Sequence, residues 1–186
     1  MITLTKEKVK EVREQIKRDL SLKNINQAPK LEKIVLNVGF GRMVAGKSSD
    51  EQMKIREDIL KNLSLIAGQK AVFTKARGAV SAFKIRKGMI IGAKVTLRGN
   101  RMYDFFDRFI NIVLPRIRDF RGISLNSIDK WGNLTVGIRE VIVFPEILPE
   151  NLKYPFGLEV TLHSTAKDKE TGILFFKKLG IPFQEK

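Results

Sequence analysis

"WGNLTVGIREVIVFPEILPENLKYPFGLEVTLHSTA", residues 131–166, decides the fold. "WGNLTVGI" and "REVIVF" read as strands, and "DKWGN" carries the turn chemistry that precedes the first of them. "GLEVTLHSTA" (157–166) alternates apolar and polar residues, which marks a strand with one buried face. Strands that follow one another through turns, rather than alternating with helices, predict a mostly antiparallel sheet.

The pattern extends upstream. In "KIVLNV" (33–38), Ile34, Leu36 and Val38 point one way and Lys33, Val35 and Asn37 the other. "GAKVTLR" (92–98) sets Val95 and Leu97 against Lys94, Thr96 and Arg98, and "AVFTKA" (71–76) is a further strand. Helical spacing predicts a helix over about 5–21, with Val9, Val12, Ile16 and Leu20 on one side and Thr5 as a cap. A second helix follows acids at its start, places Met53, Arg56, Ile59, Leu60, Leu63 and Ile66 on one side, and ends at Gly68. A third, capped by Asn100, carries Met102, Phe105, Phe106, Phe109, Ile110 and Val113 until Pro115 ends or kinks it. A last helix covers roughly 168–179. The fold class is α+β, a mostly antiparallel sheet with helices packed on one face, and the 186 residues suit a single domain.

Helices on one face leave the other open. That open face presents Lys33, Asn37, Lys94, Thr96 and Arg98, donors suited to phosphates, 2′-hydroxyls and base edges. The net charge is +15, from 35 basic and 20 acidic residues, which points to a polyanionic partner. From Ile59 to Tyr103 there is no Asp or Glu, while ten Lys and Arg carry +10, leaving +5 for the rest of the chain. Part of this window is a basic protruding loop, about 75–91, expected to be mobile when free of ligand, with Gly78 and Gly88 permitting its bends.

"GRMVAGKS" (41–48) offers a rival reading, because it matches G-x-x-x-x-G-K-S between a strand and a helix. In such a loop backbone N–H groups wrap phosphates, Lys47 reaches the terminal phosphates and Ser48 holds Mg²⁺. Three features oppose it. No acid ends an apolar strand to position Mg²⁺, parallel βαβ units do not follow, and Ser48, Ser49 and Asp50 can start the helix beyond Lys47. On the residues alone a polyanion binder and a nucleotide hydrolase both remain open.

Other chemistry is sparse. There is no cysteine, hence no disulfide or thiolate metal site, and a reducing interior is the default. The one histidine, His163, reads as a half-exposed strand residue, and Trp131, in a turn, as locally packed, with exposed stacking the alternative. No apolar run approaches the roughly 20 residues of a membrane span, and the N-terminus is too polar for a secretory signal.

"KLEKIVLNVGFG", "GQKAVFTKARGAVSAFKIRKGMIIGAKVTLRG", "RMYDFFDRF", "LPRIRDFRGIS", "GNLTVGIREVIVFPEI" and "STAKDKETGILFFKKLGIPF" resemble, in that order, the bacterial-type large-subunit ribosomal protein L-five family. The resemblance runs from about residue 5 to the end. It implies a structural ribosomal protein with no catalytic residues, no metal and no cofactor. It also implies an antiparallel sheet with helices on one side, whose sheet face binds 5S rRNA in the central protuberance. The matching positions are Asn37, Gln69 and Thr96, with Lys33, Lys94 and Arg98 flanking them. The family's long loop reaches toward peptidyl-site tRNA; Lys75, Arg77, Lys84, Arg86 and Lys87 occupy it here. The implied partners are 5S rRNA, large-subunit rRNA, peptidyl-site tRNA and neighbouring ribosomal proteins, including the small-subunit head through an intersubunit bridge, with no membrane. The implied place is the ribosome of the cytoplasm or of an organelle. Gly78 and Ala82 depart from the family pattern, as does "LPENLKYPFGLEV", while Gly46, Lys47 and Ser48 fall in a variable insertion.

Overall fold

A computed structural model describes residues 6–184. Five strands, β1 (Leu31–Gly39), β2 (Val72–Lys75), β3 (Ile90–Leu97), β4 (Leu134–Ile138) and β5 (Leu158–Ser164), form one antiparallel sheet in the order β2-β3-β1-β5-β4. Contacts divide the chain into two compact units. One comprises Met1–Ile34, Leu97–Val136 and Thr161–Lys186; the other comprises Val35–Thr96 and Gly137–Val160.

The sheet is one-sided because its sequence alternates. Ile34, Leu36 and Val38 of β1, Ala93, Val95 and Leu97 of β3, and Leu158, Val160 and Leu162 of β5 are all buried. The residues between them are half-buried or exposed. β2 and β4 are the edge strands, with four and five residues. β2 pairs antiparallel to β3, Val72 opposite Lys94, and its register shifts between Thr74 and Lys75. Gly92 lets the backbone close up, since a Cβ there would stand 2.5 Å from Thr74 Oγ1 and 2.8 Å from the Val38 carbonyl oxygen.

In the first unit, helix α1 (Lys6–Asp19) buries Val9, Val12 and Ile16. The expected cap Thr5 lies outside the described residues. Leu20 follows the last helical turn and is 40% exposed, so it leaves the apolar stripe. Helix α4 (Gly99–Arg108) runs through a π-helical turn at Phe109–Val113 into a last turn, α5 (Leu114–Arg116). The six expected core residues are buried. The expected cap at Asn100 is not used: Arg98 holds the N-cap position and Asn100 is already helical. Pro115 has no N–H and its ring crowds the carbonyl four residues back; the widened turn before it relieves that crowding, and the helix stops one residue later. Helix α6 (Lys169–Lys178) is capped by Asp168, whose carboxylate accepts from Thr171 N at 2.8 Å.

In the second unit the segment expected to be a glycine-rich loop contains a short helix, α2 (Gly41–Val44). Helix α3 (Ser49–Ala67) begins at a capping box in which Ser48 and Glu51 bond reciprocally, and ends at Gly68 in the left-handed region. Its buried face is Ile55, Ile59, Asn62, Leu63, Ile66 and Ala67. Met53 is 59% exposed, so the face is rotated from the expected one. "REVIVF" is not a strand. Val141–Val143 is a 3-10 turn that buries Val141 and Phe144, three residues apart, and exposes Ile142. Three β-branched residues favour a strand by propensity, but burial at a spacing of three suits a helical turn, and Pro145 follows.

Candidate nucleic-acid interface

The second unit holds four of the six face residues. Asn37 is half-buried on β1, and Thr96, half-buried, and Lys94, exposed, lie on β3. Those strands are neighbours. Gln69 follows the left-handed Gly68, and its amide donates to the Thr96 carbonyl at 3.3 Å. The connection is fixed behind it, where Ser64 Oγ donates to the Leu60 carbonyl at 2.6 Å and accepts from Ala71 N at 3.0 Å. Gln69 and Thr96, far apart in sequence, are thus brought together.

The basic segment grows from the same unit. Ala76 N donates to Met89 O at 2.8 Å and Gly88 N to Ala76 O at 2.9 Å. Val80 and Ile85 form a bridge around a 3-10 turn at Ser81–Phe83, with Lys84 left-handed at φ 53°. The segment is therefore a hairpin-like extension closed by its own backbone bonds. Lys75, Arg77, Lys84, Arg86 and Lys87 are all exposed, and no carboxylate lies between them. Val80 and Phe83, not singled out from the sequence, are 44% and 53% exposed beside these cations. A turn of alternating small and large residues gave no sign of which side chain would point outward.

The first unit holds Lys33 and Arg98. Arg98 Nη1 lies 3.5 Å from Glu32 Oε1, an exposed pair worth under about 1 kcal/mol that a phosphate can displace. Alternation also brings Thr135 and Thr161 to the surface, their hydroxyls 3.3 Å apart. The same period-two reading that placed Thr96 could have added these two and His163 to the face.

Burial pushes the His163 imidazole below its ordinary value of 6.5; Lys33 and then Arg98 push the same way, against Glu32 and Asp129. A lowered folded-state value means that the unfolded chain takes up the proton more readily. Stability is thus undiminished above pH 6.5 and falls as pH drops through it. We predict that the melting temperature of the wild type falls more between pH 7.5 and 5.5 than that of His163→Gln. Equal falls, measured by calorimetry, would refute it.

The nucleotide-loop reading fails on geometry. Residues 41–44 are already helical, so their N–H groups do not form an open phosphate cradle. Lys47 N donates to the Val44 carbonyl, and the Ser48 hydroxyl is engaged with Glu51. The long helix starts after Lys47 rather than at it. Among the described residues no cluster of metal-ligating side chains occurs, and no helix is long and apolar enough to cross a membrane.

The family profile described as Ribosomal protein L5 matches residues 24–86, and that for the same family's C-terminus matches residues 90–183. The chain belongs to the ribosomal L5 family. It is 46% identical to the large ribosomal subunit protein uL5 of Roseiflexus castenholzii over 100% of both chains. It is 46% identical to that of an Anaeromyxobacter species, over 95% of this chain and 94% of the relative. It is 45% identical to that of Oenococcus oeni, over 98% and 99%. As an L5 member it is a structural protein of the large ribosomal subunit, not an enzyme, and its place is the cytoplasmic ribosome. Its partners there are rRNA and other ribosomal proteins.

One expectation about the L5 chain is corrected. Trp131 is not locally packed but 61% exposed, with Lys130 Nζ 5.1 Å from its ring centroid.

Proposed function

We propose that this L5 protein docks on 5S rRNA through the uncovered sheet face, with Asn37, Gln69 and Thr96 selecting the site by shape and hydrogen bonding. Lys33, Lys94 and Arg98 meet phosphates. The basic hairpin, with Lys75, Arg77, Lys84, Arg86 and Lys87, extends toward peptidyl-site tRNA, and a bridge is made to the small-subunit head. The observation that carries the reading is a half-exposed polar strip on neighbouring strands, Asn37 and Thr96, beside five exposed cations in a segment without a carboxylate. Phosphate contacts supply affinity and orientation without sequence choice; polar groups that become buried on docking supply discrimination.

Filter binding to 5S rRNA tests this. Affinity falls with salt by roughly 0.7–0.9 log units per log unit for each phosphate contacted. Asn37→Ala and Thr96→Ala each lose on the order of 1–3 kcal/mol, because a partner is left buried and unpaired. Wild-type affinity in both variants, or a response indifferent to salt, refutes the assignment.

A further inference from the structure

The turn at 129–133 is more firmly built than a connection between elements requires. The Asp129 carboxylate accepts from Trp131 N at 2.9 Å, from Asn133 N at 2.8 Å and from Asn133 Nδ2 at 3.0 Å. Burial pushes that carboxyl up, but these bonds outweigh it and hold it below its usual value. Ser164 fixes the turn from β5, its hydroxyl donating to the Gly132 carbonyl at 2.7 Å and its N–H to Asn133 Oδ1 at 3.1 Å. Gly132, at φ +75°, is wedged against α6, where a Cβ would stand 2.6 Å from Ala166 Cβ and 2.9 Å from the Asp168 carbonyl oxygen.

None of these contacts uses the indole. The turn holds its backbone by other means and presents the chain's single tryptophan to solvent at 61% exposure, with the Lys130 ammonium over its ring. The surroundings indicate what the ring is for. In this unit the only other exposed large apolar side chain among the described residues is Leu20. A tryptophan that anchors a protein interface sits at the centre of an apolar, desolvated patch. A lone aromatic on a rigid turn, paired with a cation, has instead the composition that stacks a base and neutralises its phosphate.

We propose that Trp131 is a stacking post for an unpaired nucleobase of ribosomal RNA, with Lys130 contacting the adjoining phosphate. This rests on the RNA-binding reading only for the class of ligand; its residues are separate from the 5S rRNA strip.

Because the protein has one tryptophan, its fluorescence reports on this residue alone. The full chain is titrated with 5S rRNA and, separately, with large-subunit rRNA, while filter binding records affinity. At least one of the two RNAs is expected to quench the emission strongly. For that RNA, Trp131→Ala weakens binding about 5- to 150-fold while Trp131→Phe keeps part of the affinity. Both variants should melt as the wild type does, the side chain being exposed. RNA binding that is sensitive to Asn37→Ala, with unchanged emission and wild-type affinity in Trp131→Ala, overturns the stacking post and leaves the sheet-face reading standing. A blue shift caused by small subunits and not by either RNA assigns the ring to a protein contact and also overturns it. No binding of either RNA by the wild type overturns both.

Discussion

Phe105→Ala is expected to destabilise the protein by about 3–5 kcal/mol, among the largest effects a single substitution can have here. Phe105 is 1% exposed and stacks on Phe109, with centroids 5.9 Å apart and planes at 17°. Removing the ring forfeits its transfer from water, opens a cavity in a core that cannot fully collapse, and breaks an aromatic pair worth roughly 0.5–1.5 kcal/mol. A domain has only about 5–15 kcal/mol to lose. In urea this should lower the unfolding midpoint by about 1–3 M at an unchanged slope. Phe105→Leu keeps most of the volume and should cost much less. A midpoint within experimental error of wild type in the alanine variant would mean that the stacked pair does not anchor this core.

Replacing Lys84, Arg86 and Lys87 together by alanine should leave stability alone and weaken binding of tRNA, the partner proposed for this hairpin, on the order of 10- to 100-fold at moderate salt. All three side chains are exposed, on a hairpin closed by backbone bonds rather than by their own contacts. The diagnostic quantity is the salt dependence. If each meets one phosphate, the slope of log affinity against log salt becomes shallower by about 2–3. Weaker binding with an unchanged slope would assign the loss to altered hairpin shape; unchanged binding at every salt concentration would remove the hairpin from the interface.

Alternation made most of the sheet readable. Asn37, Lys94 and Thr96 could be assigned to the open face because each lies between residues that must be buried, Lys33 because it shares the phase of Asn37, and a period of two tolerates no slip. The same logic misled at Val141–Val143, where propensity favoured a strand but the segment turns to bury Val141 and Phe144, and Pro145 follows. The aromatic stripe of α4 was legible through Val113, whereas the π-helical turn was not, since a single widened turn leaves little trace in spacing. Around "GRMVAGKS" the residue pattern was correct but its conformation was undetermined until Ser48 took the cap. Gln69 entered only through family resemblance, because its bond to Thr96 spans 27 residues and no local period reports it. Trp131 was misjudged for a related reason. A turn sequence shows that the backbone reverses, not which way the intervening side chain leaves it.

The two edge strands carry a consequence for the protein before it meets its RNA. β2 offers only four residues, interrupted in register and ending in an exposed lysine, and β4 offers five. Neither is a good template for recruiting a strand from another molecule. Surplus copies awaiting assembly are therefore guarded against polymerising rim to rim, and their characteristic hazard is indiscriminate capture by whatever anionic polymer is nearest.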